Sequence, residues 1–175
     1  MRKQVFRDFK TDNTSIIKVA FLKDTRPSIF KPYKYMSSQF LINACLAIFL
    51  QNFKGLKDTY LILAAKSGCY PNIDEAHIMK FCRDTGVLDA AFTEQDLSVI
   101  FHAANVEYEE DEEDENPDSL LNRKEFLELF LRIAVAKYTV QKSDGIESAS
   151  EGLLKLVETV LLPVSDKYHV REFRI

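Results

Sequence analysis

The chain has 175 residues (20.2 kDa), 46% hydrophobic and 29% charged, with a net charge of −4. That length is enough for one domain with a full core. Five Gly and five Pro exclude collagen-like, elastic and broadly disordered chains. The three cysteines, Cys45, Cys69 and Cys82, form no C-x-x-C pair and leave one thiol over from any disulfide, which is the usage of a reducing compartment. The longest apolar stretch, Phe40 to Leu50, falls short of the roughly 18–20 residues of a membrane span. Met1 is followed by Arg2, Lys3, Arg7 and Asp8 with no apolar segment between them, so no secretory signal is legible. The expectation is a soluble intracellular protein that does not enter membranes.

Charge is unevenly spread along the chain. Residues 1–38 hold nine Lys/Arg against three Asp/Glu, a net +6, while residues 107–118 hold nine acids and no base, a net −9. Pro27 and Pro32 push their predecessors toward extended geometry, so the basic segment reads as an arm rather than a helix. Ile16 to Leu22 fits either a short strand or a short helix. Bases interleaved with aromatics suit docking on an acidic surface. The contact residues expected there are Arg2, Lys3, Lys18, Lys23, Arg26, Phe30, Lys31, Tyr33, Lys34 and Tyr35. The −9 run opposes a nucleic-acid partner.

From Ser38 the pattern turns helical. Phe40 to Leu50 is apolar on nearly every side and predicts a helix buried by several neighbours, broken or bent near Gly55. A second helix follows over Leu56–Ala65. A third, capped by Asn72 or Asp74, sets Ala76, Met79 and Cys82 on one stripe with Ile78 and Phe81 beside it, and ends at Gly86. Thr93 to Asp96 reads as a capping box before Leu97, Ile100, Phe101 and Ala104. Asn122 to Glu125 repeats the signal before Phe126, Leu129, Phe130, Ile133 and Ala134. A last helix is expected over Ser148–Leu162, stopping before Pro163. Strand alternation does not persist anywhere.

Two helix–loop–helix units of this size predict an EF-hand-like pair, which can be tested ligand by ligand. A calcium loop takes oxygen ligands at positions 1, 3, 5, 7, 9 and 12 and Gly at 6. With Ile73 at the apolar position 8, the first loop runs from Lys66 to His77, with Gly68 and Tyr70 at positions 3 and 5 and Pro71 at 6. Lys66 brings a positive charge to the first ligand position, and Pro71 excludes the turn that Gly makes. This loop is expected to hold no calcium. In the second, Glu125 at position 12 puts Asp114, Asn116 and Asp118 at 1, 3 and 5 and Leu121 at 8. Those are credible ligands, yet the apolar stripe of the helix before them ends at Phe101 and Ala104. Glu107 to Pro117 therefore reads mainly as an inserted acidic loop, with calcium at Asp114, Asn116, Asp118 and Glu125 as the alternative.

No Walker loop, G-x-G-x-x-G, H-E-x-x-H or nucleophile elbow is present, and no Cys/His spacing fits zinc. Cys82 reads as a small core hydrophobe and His102 as a residue at the edge of an apolar face. Arg7-Asp8-Phe9-Lys10 matches Arg171-Glu172-Phe173-Arg174 in type, which over four residues reads first as chance and otherwise as docking segments of head-to-tail copies. No enzyme and no cofactor are expected.

The segment Lys80-Phe81-Cys82-Arg83-Asp84-Thr85-Gly86-Val87-Leu88-Asp89 resembles the core of the tubulin polymerization-promoting protein (p25-alpha) family. So do Thr93 through Asp96 leading to Ile100-Phe101, and Glu125 to Leu129 continuing to Ile133-Ala134 and Lys137-Tyr138. Related degenerate EF-hand modules occur in the microtubule inner proteins of ciliates. The resemblance, over Phe53 to Tyr138, implies a non-enzymatic, calcium-independent protein on tubulin or other axonemal proteins, in the cytoplasmic cytoskeleton and the ciliary axoneme. The expected organisation is all-α: an extended arm at 1–37, a degenerate EF-hand pair with a preceding buried helix at 38–138, and a linker, C-terminal helix and tail at 139–175.

Overall fold

Four helix starts among the described residues are closed by a side-chain cap, from Asp74, Thr93, Asn122 and Ser148. The computed structural model describes residues 38–105, 119–140, 145–146 and 148–167. The basic arm with its ten contact residues, the Ile16–Leu22 segment, the acidic run at 107–118 and both copies of the terminal echo lie outside them. Among the described residues the fold is all-α, apart from one two-residue strand pair.

Helix α1 spans Ser38–Gln51 and α2 spans Phe53–Ser67. The bend between them falls at Asn52, not at Gly55. The Asn52 side-chain amide and its backbone N–H both donate to the Ile48 carbonyl, at 2.9 and 3.1 Å, and the helix restarts with Leu56 N–H on the Asn52 carbonyl. Gly55 sits inside α2, where a Cβ would come within 2.3 Å of Leu162 Cδ2. Its small size allows a close crossing rather than a bend. On α1, Cys45, Ile48 and Phe49 are buried while Ala47 and Leu50 are exposed. Among the described residues the helix packs against α2 and the C-terminal helix, with Ala47 and Leu50 on its outer side.

After the loop, β1 (Ile73–Asp74) leads into α3 (Glu75–Asp84), and α4 covers Glu94–Ala104. The second loop ends in β2 (Leu120–Leu121), followed by α5 (Arg123–Ala134) and a widened π turn at Val135–Val140. On α3 the buried residues are Ile78, Phe81 and Cys82, while Ala76 is exposed. The packed stripe is therefore rotated away from the Ala76 side that the spacing predicted. Gly86, at φ +72°, closes α3 in the left-handed conformation. The stripes on α4 and α5 match expectation: Leu97, Ile100, Phe101, Ala104, Phe126, Leu129, Phe130, Ile133 and Ala134 are all buried.

The C-terminal segment comprises α6 (Ala149–Leu156), a π turn at Val157–Leu161 and α7 (Leu162–Lys167). It does not stop before Pro163. The wide turn closes with Leu162 N–H on the Val157 carbonyl, five residues back, so Pro163 falls in the first turn of α7, where a missing N–H is tolerated. Helix α6 packs on α1 and α5, and α7 packs on α2. Thr59, fully buried, donates its hydroxyl to the Leu161 carbonyl at 2.7 Å and ties α2 to the second π turn.

The core sits where α2, α3 and α5 meet. Tyr60 and Phe126 meet edge to face at 5.3 Å between ring centres, Phe126 and Phe130 at 4.9 Å, and Phe81 and Phe130 at 6.0 Å. Such pairs add roughly 0.5–1.5 kcal/mol each beyond the area they bury. Helix α5 is buried on every side from Glu125 to Ala134. Its two central charges answer each other one turn apart, with Arg132 donating Nε and a terminal nitrogen to Glu128 Oε1 at 2.8 and 2.6 Å.

Candidate functional site: the paired loops and a buried lysine

The two loops face each other through one antiparallel bridge, with Ile73 opposite Leu121 and Asp74 opposite Leu120. Ile73 and Leu121, the two residues assigned to position 8, are both fully buried. In each loop position 9 becomes the helix N-cap and position 12 the third helical residue. The chemistry of the two ends is exchanged between the loops.

In the first loop the N-cap is an acid. Asp74 Oδ1 accepts the His77 N–H at 2.7 Å, and the His77 ring nitrogen Nδ1 lies 2.8 Å from the same oxygen. Cys69 Sγ approaches Asp74 Oδ2 at 3.8 Å. Burial opposes ionisation of Asp74, but the His77 backbone N–H, the His77 ring and charge, and Cys69 outweigh it, and the carboxyl is held below its ordinary value. The rest of the loop is tied as well. The Ser67 hydroxyl lies 2.9 Å from both the Ala64 and Asn72 carbonyls and accepts the Cys69 N–H at 3.2 Å. Tyr60 donates its hydroxyl to the Pro71 carbonyl, and burial pushes that phenol up to about 12. Lys66 lies in the last turn of α2, and Gly68 caps that helix at φ +73°. Tyr70, 66% exposed, is a large apolar side chain turned outward from the loop. The loop is thus tied by hydrogen bonds inside the chain, and His77 turns toward Asp74.

In the second loop the N-cap is neutral. Asn122 Oδ1 accepts the Lys124 and Glu125 N–H groups at 2.8 and 3.1 Å, and Glu125 Oε2 accepts the Asn122 N–H at 2.7 Å. Of the four candidate calcium ligands, Glu125 alone lies among the described residues, with one carboxylate oxygen committed to this capping box; Asp114, Asn116 and Asp118 lie outside them. Among the described residues no group of three His, Cys, Asp or Glu side chains is arranged to hold a metal ion.

A second cluster was not foreseen. Lys137, in the π turn after α5, has a side chain only 8% exposed. Its ammonium donates to the Val87 carbonyl at 2.7 Å and pairs with Asp89 Oδ2. It also lies 6.0 Å from the ring centres of Phe92 and Tyr138. The other Asp89 oxygen accepts the Ala91 and Phe92 N–H groups at 2.8 Å each. The Lys137 hydrogen bond is the main reason that the Asp89 carboxyl is held low. One sequence signal pointed here: a single lysine inside the apolar run Ile133 to Tyr138 needs a buried partner.

The thiols divide by environment. Burial pushes Cys45 and Cys82 up to about 12, and both are fully enclosed. His102 is exposed, 3.6 Å from Glu75. No helix among the described residues is long and apolar enough to cross a membrane. Comparison of the chain with protein-family models, with curated proteins and with solved structures finds no match.

Proposed function

We propose that this protein is a non-enzymatic interaction module, an EF-hand-like pair that works without calcium and docks on microtubules, in the ciliary axoneme, through its basic arm. The observation that carries the reading is the first loop. Its position-1 residue is Lys66, and Asp74, the one acid at a ligand position, spends its carboxylate on His77 and Cys69, so the helices are held by hydrogen bonds where a sensor would use an ion. The likeness of 80–89 and 125–138 to the p25-alpha core supports the tubulin partner, and the +6 arm facing an acidic filament supports the mode of attachment. Arg2, Lys3, Lys18, Lys23, Arg26, Lys31 and Lys34 supply the attraction, and Phe30, Tyr33 and Tyr35 anchor it.

Co-sedimentation with microtubules tests this. The full chain is expected to pellet with the filament, to weaken as salt rises, and to lose most binding when residues 1–36 are removed. Undiminished binding by the truncated chain would remove the arm from the argument, and no binding by the full chain would remove tubulin. The alternative, calcium regulation through Asp114, Asn116, Asp118 and Glu125, predicts a micromolar calorimetric signal that Glu125→Gln abolishes.

A further inference from the structure

The segment 85–93 joins the two helix–loop–helix units, and it is pinned from both sides. Toward its own unit, Val87 and Leu88 donate their N–H groups to the Cys82 carbonyl at 2.9 and 3.2 Å. Toward the other, Val87 O and Asp89 take the buried ammonium of Lys137, which lies 50 and 48 residues away. Val87 and Phe92 are both buried in the core at either end of this short stretch.

We propose that the Asp89–Lys137 latch is a conformational lock that holds the joint between the units shut, so that the module offers its partner one fixed shape. The physical reason is an asymmetry of solvation. Asp89 is 45% exposed and remains hydrated if the joint opens. Lys137 is enclosed, and lifting 85–93 removes its carbonyl and its carboxylate together, leaving an ammonium beside the Tyr138 ring with neither partner. Opening at this seam is therefore opposed by a lost charge-assisted bond as well as by exposed Val87 and Phe92. The inference rests on the reading of the protein as a static module, because a sensor must let its helices move.

Amide hydrogen exchange on the full chain, without microtubules, tests it separately from partner binding. Asp89→Asn keeps an Oδ1 acceptor for the Ala91 and Phe92 N–H groups and removes the charge that faces Lys137. In that variant the amides of Val87 to Phe92 are expected to exchange about 10-fold faster or more, with those of α2 and of the Ile73–Leu121 bridge within about 2-fold of wild type. Lys137→Met, which keeps the apolar stem, is expected to behave alike. Equal acceleration throughout would make the pair a general stabiliser and overturn the lock, and unchanged exchange at 87–92 would overturn it too. If Lys137→Met does not fold, Asp89→Asn decides alone.

Discussion

Replacing Asp74 by Ala removes three things that the first loop uses. The side chain caps α3 through the His77 N–H, which is worth about 1 kcal/mol. Its charge faces the positive end of the helix dipole, adding roughly 0.3–1 kcal/mol. Its half-buried pairing with the His77 ring adds roughly 0.2–1 kcal/mol. Asp74→Ala is therefore expected to lose about 2 kcal/mol in urea unfolding at neutral pH, with the denaturant slope unchanged. Asp74→Asn, which can still cap, should lose about half of that. The pH dependence has a definite sign. The folded carboxyl is depressed, so its contribution is full above the unfolded value of about 3.9 and disappears as pH falls through the lower folded value. The gap between wild type and Asp74→Ala should accordingly narrow on acidification below pH 4. Adding calcium to either protein should leave the midpoints in place. A loss under about 0.5 kcal/mol, or a midpoint that calcium raises through Asp74, would refute the account of a loop closed by its own side chains.

Two further expectations concern packing and access. At Gly152 a Cβ would meet Tyr138 Cβ at 3.0 Å and the Ala134 carbonyl at 3.1 Å, neither of which can swing aside. Gly152→Ala gains roughly 1 kcal/mol of helix propensity but overpacks the crossing of α6 on α5 by roughly 1–3 kcal/mol. Thermal unfolding should therefore shift down by a few degrees, and a stabilised variant would show that α6 can slide. In the folded protein iodoacetamide should modify Cys69 about 100-fold faster than Cys45 or Cys82, because it alone is partly exposed. Equal labelling by mass spectrometry would mean that the core opens on the labelling timescale.

What was legible in the sequence was what is decided within one turn of helix. Thr93 with Asp96 and Asn122 with Glu125 read as reciprocal caps because each box closes over three residues, and both close as written. Gly86 read as a helix terminus for the same reason. The errors occur where distant chain decides. Gly55 looked like a breaker until Leu162, more than a hundred residues on, is seen crossing it; Pro163 looked like a stop because a widened turn leaves no mark in composition. Ala76 was placed in the core by spacing alone, although α3 turns Ile78, Phe81 and Cys82 inward to meet Phe130 on α5.

The same division of scale bears on the site. The spacing of residues 66–77 could show that ligands are missing, since a calcium cage is a list of positions. It could not show how the loop is held, because Ser67 with Asn72, Tyr60 with Pro71 and Asp74 with Cys69 and His77 are choices among many polar partners within reach. Lys137 takes the argument one step further. A lysine in an apolar run demands an acceptor, and the acceptor lies in the segment 80–89, which had been singled out on resemblance alone. Two distant stretches of sequence, 80–89 and 125–138, are thus joined by a buried charge. That juxtaposition lets the stretch after α3 and the end of α5 hold each other in place through one ammonium, a constraint that no local pattern in either stretch records.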